Sequence, residues 1–177
     1  MTRESRRSFA RKVAAVVIGG SALSAVGTRR STARTTEDEY EREVERAIHR
    51  RVNRIRTDRG LDPLAYGDRL AEIAAYHSWD MADVGYFSHT SPDGETVSDR
   101  YEKFGLSCRR WGENILYNYA ADESPTEAAR QSVDQWMQSS GHRRNILADF
   151  WTAEGIGVEV ASDGRLYLTQ NFGTGCR

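Results

Sequence analysis

Tyr40, Val44, Ile48, Val52 and Ile55 recur at helical spacing through a highly charged stretch, which predicts an amphipathic first helix. Acidic residues crowd its start, from Glu37 to Glu45, and arginines its end, from Arg50 to Arg59, as the helix dipole favours. Gly60 and Pro63 stop it. A second helix is expected with Asp68 as N-cap and Leu70, Ile73, Ala74, His77, Met81 and Val84 as its apolar face. A loop with Phe87 and His89 follows, then a short helix from about Val97 to Phe104 that Gly105 terminates. Glu113 to Tyr119 reads as a strand. Ser124-Pro125-Thr126-Glu127 has the residue types of a capping box, so a helix begins there and packs through Ala129, Val133, Trp136 and Met137. Ser139-Ser140-Gly141 breaks it before His142 opens another turn. Two strands end the chain, Glu154 to Ala161 with Ile156, Val158 and Val160 on one face, and Arg165 to Phe172 with Leu166 and Leu168, joined by a turn at Ser162-Asp163-Gly164. Helices followed by a strand-rich end predict an α+β domain whose antiparallel sheet is covered by helices.

The ends of the chain suggest where it works. Arg6-Arg7 stands just before the apolar run Val13 to Val26, the pattern of a twin-arginine export signal over residues 1–27. That run is about 14 residues, against the roughly 20 that a spanning helix needs. It is therefore expected to guide export and be cut near Ala25-Val26-Gly27, and no stable transmembrane span is expected. Residues 28–37, with polar Ser31 to Thr36 at their centre, read as a linker, and 38–177 as one domain, expected to be monomeric and secreted or held at the cell surface.

The formal charge of −1 conceals an asymmetry, because eight basic residues and only Glu4 lie within the first 34 residues. From Thr35 onward, 17 basic residues face 25 acidic ones, a net charge of −8, which argues against nucleic acid or an anionic membrane as partner. Lys12 and Lys103 are the only lysines, a composition compatible with either a high-salt habitat or a GC-rich genome. Cys108 and Cys176 are the only cysteines. In an exported chain they most simply form one disulfide, worth about 2–4 kcal/mol, the alternative being two unpaired thiols.

Three short motifs carry the chemistry. They are Phe87-Ser88-His89, Gly112-Glu113-Asn114-Ile115, and Gly141-His142-Arg143-Arg144-Asn145-Ile146-Leu147 preceded by Trp136. With Val52-Asn53-Arg54-Ile55-Arg56, Gly60-Leu61-Asp62-Pro63-Leu64, Ala75-Tyr76-His77-Ser78-Trp79-Asp80-Met81-Ala82, Glu154-Gly155-Ile156-Gly157-Val158 and Thr169-Gln170-Asn171-Phe172-Gly173, they resemble the CAP superfamily in its short prokaryotic form. This superfamily, also called SCP-like, takes in cysteine-rich secretory proteins, antigen 5 and pathogenesis-related class 1 proteins. The resemblance covers about Val44 to Phe172 and implies a three-layer α-β-α sandwich with a cleft bearing two histidines and two acids.

Position by position, the resemblance implies His89, Glu113 and His142 as cleft residues. Where the family has its other acid this chain has Ser139, with Glu154 or Asp134 as substitutes. Two imidazoles and a carboxylate suit zinc or another divalent cation with a position left for water or ligand. No His-Glu-x-x-His fixes their spacing, so the fold alone must bring them together. Asn114 and Asn145 are candidates to orient those groups. The competing structural reading has His89, His142 and Glu113 ordering loops through hydrogen bonds. His77, on an apolar helix face, reads as a core histidine. Trp111, Tyr117, Tyr119, Trp136 and Trp151 offer a carbohydrate-stacking surface or simply core. No Gly-x-Ser-x-Gly elbow is present. The expected function is that of an exported, non-enzymatic binding domain for an envelope or extracellular ligand, with a hydrolase using the same cleft as the alternative.

Overall fold

The computed structural model describes residues 25–177, with side chains from residue 36 onward. The twin-arginine pair and most of the apolar run lie outside the described residues. The chain divides into two units, 1–37 and Asp38–Arg177, and the second contains everything that follows. Its helices are α1 (Ala25–Thr57, of which 38–57 belong to this unit), α2 (Asp68–Val84), α3 (Val97–Lys103), α4 (Pro125–Gln138) and α5 (Ser140–Ile146). Its strands are β1 (Ala65–Tyr66), β2 (Arg110–Asn118), β3 (Ala153–Val160) and β4 (Leu166–Thr174). The helical assignment begins at Ala25, so the segment read as a linker is helical; residues 28–37 contain neither glycine nor proline to break it.

The strands lie in the order β1-β3-β4-β2. The three long strands pair antiparallel, and the two-residue β1 adds a parallel edge beside Ala153 and Glu154. Alternation along the strands separates two faces. Ile156, Val158, Leu166, Leu168 and Phe172 join Val44, Ile48 and Val52 of α1, Val133 and Trp136 of α4 and Ile146 of α5 in the larger core. On the opposite face Leu70 and Ile73 of α2 pack with Val97 and Tyr101 of α3, and Met81 packs with Ile115 and Tyr167. The result is an α-β-α sandwich.

Close approach on the α2 face depends on two glycines of β3. A Cβ built on Gly157 would lie 2.0 Å from the Ala75 backbone nitrogen, and one on Gly155 would lie 2.1 Å from that of Ala71. The helix therefore rests directly on the strand backbone. On the outer side of β3, beyond the short β1, Glu45 accepts from Val158 N–H (3.2 Å) and Glu41 from Val160 N–H (3.0 Å). These two α1 side chains satisfy edge groups that would otherwise pair with another chain.

Local signals worked as their chemistry dictates, with two adjustments. Ser124 Oγ accepts from Glu127 N–H at 3.3 Å, while the Glu127 carboxylate turns to Arg130 instead of completing the box. Gly67, not Asp68, is the N-cap of α2 and makes no side-chain cap bond. Cys108 and Cys176 form the disulfide, and reciprocal backbone bonds between Ser107 and Arg177 hold the same junction.

Gly157→Ala is expected to destabilise the domain by about 3 kcal/mol or more, because the methyl group meets helix backbone and not a movable side chain. Urea unfolding checks this, and a change below about 0.5 kcal/mol would show that α2 does not rest on β3 as described.

Candidate functional site

Glu113 lies on β2 with its side chain toward α2 and α3, on the same face as Ile115. Its side chain is 1% exposed. An isolated carboxylate there would be prohibitively costly, so its partners define the site. Arg100, fully buried on α3, donates Nη2 to Oε2 (2.9 Å) and Oε1 (3.1 Å). His89 Nδ1 lies 2.8 Å from Oε1, and His77 Nε2 lies 3.8 Å from the same oxygen. The Asn171 amide, oriented as its neighbours require, donates to Oε2 at 3.2 Å and accepts from Ala74 N–H at 3.2 Å. Burial alone would raise the Glu113 pKa, but the His89 hydrogen bond and the nearby His77 and Arg100 outweigh it and hold the group below the ordinary carboxylate range.

Arg100 also secures the loop that carries His89. Its Nη2 donates to His89 O (3.0 Å) and its Nη1 to Glu95 O (3.3 Å). His77 Nε2 donates to Ser88 O at 3.1 Å, since a carbonyl can only accept. On the other side of the His77 ring, Tyr86 Oη lies 3.4 Å from Nδ1 and donates to Asp80 Oδ2 at 2.6 Å. Burial pushes the His77 pKa down to about 4, so at neutral pH it supports the loop as an uncharged ring. Burial also raises Asp80. His77, read from sequence as a core residue, is both buried and a neighbour of the candidate carboxylate.

The His89 tautomer follows from its partner. A carboxylate only accepts, so Nδ1 carries the proton and the neutral ring keeps its lone pair on Nε2. The His89 side chain is 51% exposed, so that lone pair is available to a ligand. His142 stands in the first turn of α5 and is half-buried. Its pKa is lowered by burial and then by the proximity of His89. Arg56, buried in α1, fixes the far end of α5 by donating Nη1 to Ile146 O (2.7 Å) and Ala148 O (2.9 Å).

Asn114 and Asn145 tie α5 to β2. Asn145 Nδ2 donates to Asn114 Oδ1 (2.8 Å) and Glu113 O (3.3 Å), and Asn114 Nδ2 donates to His142 O (3.3 Å). Their bonds reach backbone carbonyls, each other and Gln170, not an imidazole or the Glu113 carboxylate.

Neither substitute acid reaches the carboxylate of Glu113. Glu154 shares the sheet face of Ile156 and Val158, opposite to Glu113; it is fully buried and bonded to His49 Nδ1 (2.7 Å) and Gln170 Nε2 (2.6 Å). Its expected role as a fourth cleft group is therefore corrected: side-chain alternation along β3 points it to the other layer. Asp134 pairs at the surface with Arg51 (2.7 Å) and Arg130 (3.0 Å). Among the described residues no group of three or more His, Cys, Asp or Glu side chains is placed to hold a metal ion. A three-residue His89–Glu113–His142 ligand set does not fit, because Arg100 and His89 already occupy the Glu113 oxygens. The arrangement present is His89 oriented by Glu113, with His142 near enough to feel its charge; acceptors stand behind metal-binding histidines in the same way.

Of the serines near the histidines in sequence, Ser88 is exposed and its Oγ accepts from Thr90 N–H (3.2 Å), whereas the other two are bonded within the fold. Ser78 Oγ bonds Gly157 O and Thr169 Oγ1 (2.9 Å each), and Ser91 Oγ bonds Asp93 Oδ1 (2.6 Å). Both cysteines are in the disulfide. Of the aromatics, Trp136 and Trp151 are core, whereas Trp111, Tyr117 and Tyr119 are exposed.

The chain is thus an α-β-α sandwich with a buried glutamate beneath a loop histidine and a second histidine opening a short helix. Residues 49–172 match the Cysteine-rich secretory protein family, and the chain belongs to this CAP superfamily in its short prokaryotic form. It is 38% identical over 120 residues to the uncharacterized membrane protein YlbC of Bacillus subtilis, covering 68% of this chain and 31% of that protein. With the uncharacterized protein YkwD of the same species it is 36% identical over 121 residues, 68% of this chain and 44% of the relative. The chain thus spans less than half the length of either. An extracellular SCP-domain protein from Bacillus anthracis superposes with a TM-score of 0.66 at 31% identity, over 88% of this chain and 45% of its own. A cysteine-rich secretory protein from Staphylococcus aureus shares the fold, with a TM-score of 0.56 at 19% identity, over 75% of this chain and 39% of its own.

Arg100→Met is expected to cost about 3–5 kcal/mol by leaving Glu113 buried without its cation. Adding Glu113→Gln should recover a substantial part of that loss, measured by denaturant unfolding of both variants. Additive losses in the double variant would mean that the two groups are not coupled.

Proposed function

We propose that the protein is a secreted or surface-held binding domain, with no catalytic role, whose His89/His142 cleft takes a divalent transition-metal ion or a ligand carrying one. The observation that carries this reading is the Glu113–His89 pair, which engages Nδ1 of a half-exposed ring and leaves Nε2 free of it, with His142 half-buried and near enough to feel the His89 charge. Zinc, or a similar cation, would supply a Lewis-acidic centre with positions for an external ligand. Glu113 would orient His89, Arg100 would keep that carboxylate ionised, and Asn114 and Asn145 would hold the His142 turn against β2. Affinity from two imidazoles is modest, which suits a reversible, cation-responsive cleft. Export through the twin-arginine segment accords with the extracellular setting of the Bacillus anthracis protein. Among the described residues no helix is long and apolar enough to cross a membrane.

Calorimetric titration with zinc tests the reading. Wild type should give a saturable heat that His89→Ala and His142→Ala each weaken at least about tenfold, and Glu113→Gln should weaken it about 10–100-fold by freeing the His89 ring. Absence of saturable heat, or heat unaltered by both histidine substitutions, would contradict it.

A further inference from the structure

The fourth histidine, His49, lines a cavity on the other layer of the sandwich. The cavity, of about 390 Å³, is lined by Arg42, Glu45, Arg46, His49, Arg50 and Tyr66. Its volume falls within the roughly 300–1,000 Å³ of small-molecule pockets. His49 forms part of the wall and is anchored from behind: its Nδ1 donates to the fully buried Glu154 (2.7 Å), which Gln170 holds from the other side (2.6 Å). Asn53 Nδ2 lies 3.3 Å from His49 Nε2, so both ring nitrogens are engaged and the ring is fixed. Tyr66 meets it edge-on with ring centroids 5.2 Å apart and is itself 38% exposed.

The charges around this cavity are unusual for so acidic a domain. Arg42, Arg46 and Arg50 follow one another at four-residue steps along α1, an arrangement in which like charges repel. Arg46 Nε donates to Arg42 O (3.0 Å), and Arg42 and Arg46 both act electrostatically on Glu45, whereas Arg51 on the same helix pairs with Asp134 at 2.7 Å. Glu45, the one acid in the lining, accepts from Val158 N–H, and burial pushes its pKa up to about 8, so near neutrality it also presents an O–H. The cavity therefore offers guanidinium forks, a carboxylic acid and a fixed aromatic face. Acceptor-rich anions match such forks, phosphate among the best of them.

We propose that this cavity is a binding site for a small phosphate monoester carrying a planar ring, the phosphate held by Arg46 and Arg50 and the ring placed against Tyr66 and His49. The site is separate from the His89 cleft and does not depend on any metal there.

Titration of the chain with phenyl phosphate, followed by calorimetry, tests the assignment. One saturable site is expected, weakened at least about tenfold by Arg46→Ala with Arg50→Ala and likewise by Tyr66→Ala. Inorganic phosphate, lacking the ring, should bind at least about tenfold more weakly than phenyl phosphate. Arg54→Ala, an exposed position on the same helix outside the cavity, should leave binding unchanged, as should His89→Ala with His142→Ala. Circular dichroism confirms that the variants are folded. Absence of saturable binding, equal weakening by Arg54→Ala, or loss of binding in the His89/His142 variant would each overturn the proposal.

Discussion

The ion pair between Glu113 and Arg100 is the constraint on which the His89 cleft depends. A carboxylate that faces a helix from the middle of a sheet can be tolerated only with a partner of opposite charge and good geometry. Arg100 meets that demand and, with the same guanidinium, holds His89 O and Glu95 O. The loop conformation, the position of the imidazole and the ionisation of the acid are thus set by one group. His77 adds a neutral contact from α2 by donating to Ser88 O. The cleft histidine is therefore held by buried chemistry although half of it meets solvent.

The same logic operates on the opposite layer, with different residues. Glu154 is buried among His49 and Gln170, and Gln170 Oε1 accepts from Asn114 Nδ2 at 3.0 Å. A line of polar side chains consequently runs through the larger core from His49 to Asn114, which donates to the backbone of His142, and on through Asn145 to the backbone of Glu113. Buried polar networks of this kind are stable only when their members are satisfied, and they fix register in a way that an apolar core does not. Beneath them, Gly155 and Gly157 let α2 rest on the strand backbone, which brings Ala74 and His77 within reach of β4 and Glu113.

Much of the fold could be read from periodicity, because helices and strands here obey the simple rule that apolar positions share a face. The two-residue β1 carries no periodic signal at all. The site was legible only in part. His89, Glu113 and His142 stand in recognisable motifs, but pairing Glu113 with Arg100 requires knowing which face of α3 turns inward. A signal for it exists: Val97, Arg100 and Phe104 are spaced three and four apart, which puts the arginine among apolar neighbours. Charged residues on short helices usually face water, and that prior hides it. Glu154 was misplaced for a reason the sequence also contains. It has the parity of Ile156 and Val158 and so belongs with the larger core, away from Glu113. His49 was masked by the arginines around it, which make its helix face look merely solvated.

The ionisation of Glu113 is the most direct measure of whether Arg100 and His89 govern this site. A carbon-13 NMR titration of the Glu113 carboxyl should show it remaining ionised to below the ordinary carboxylate range, despite a side chain only 1% exposed. Titration above that range would mean that burial dominates, and that the arginine does not hold the carboxylate as an ion.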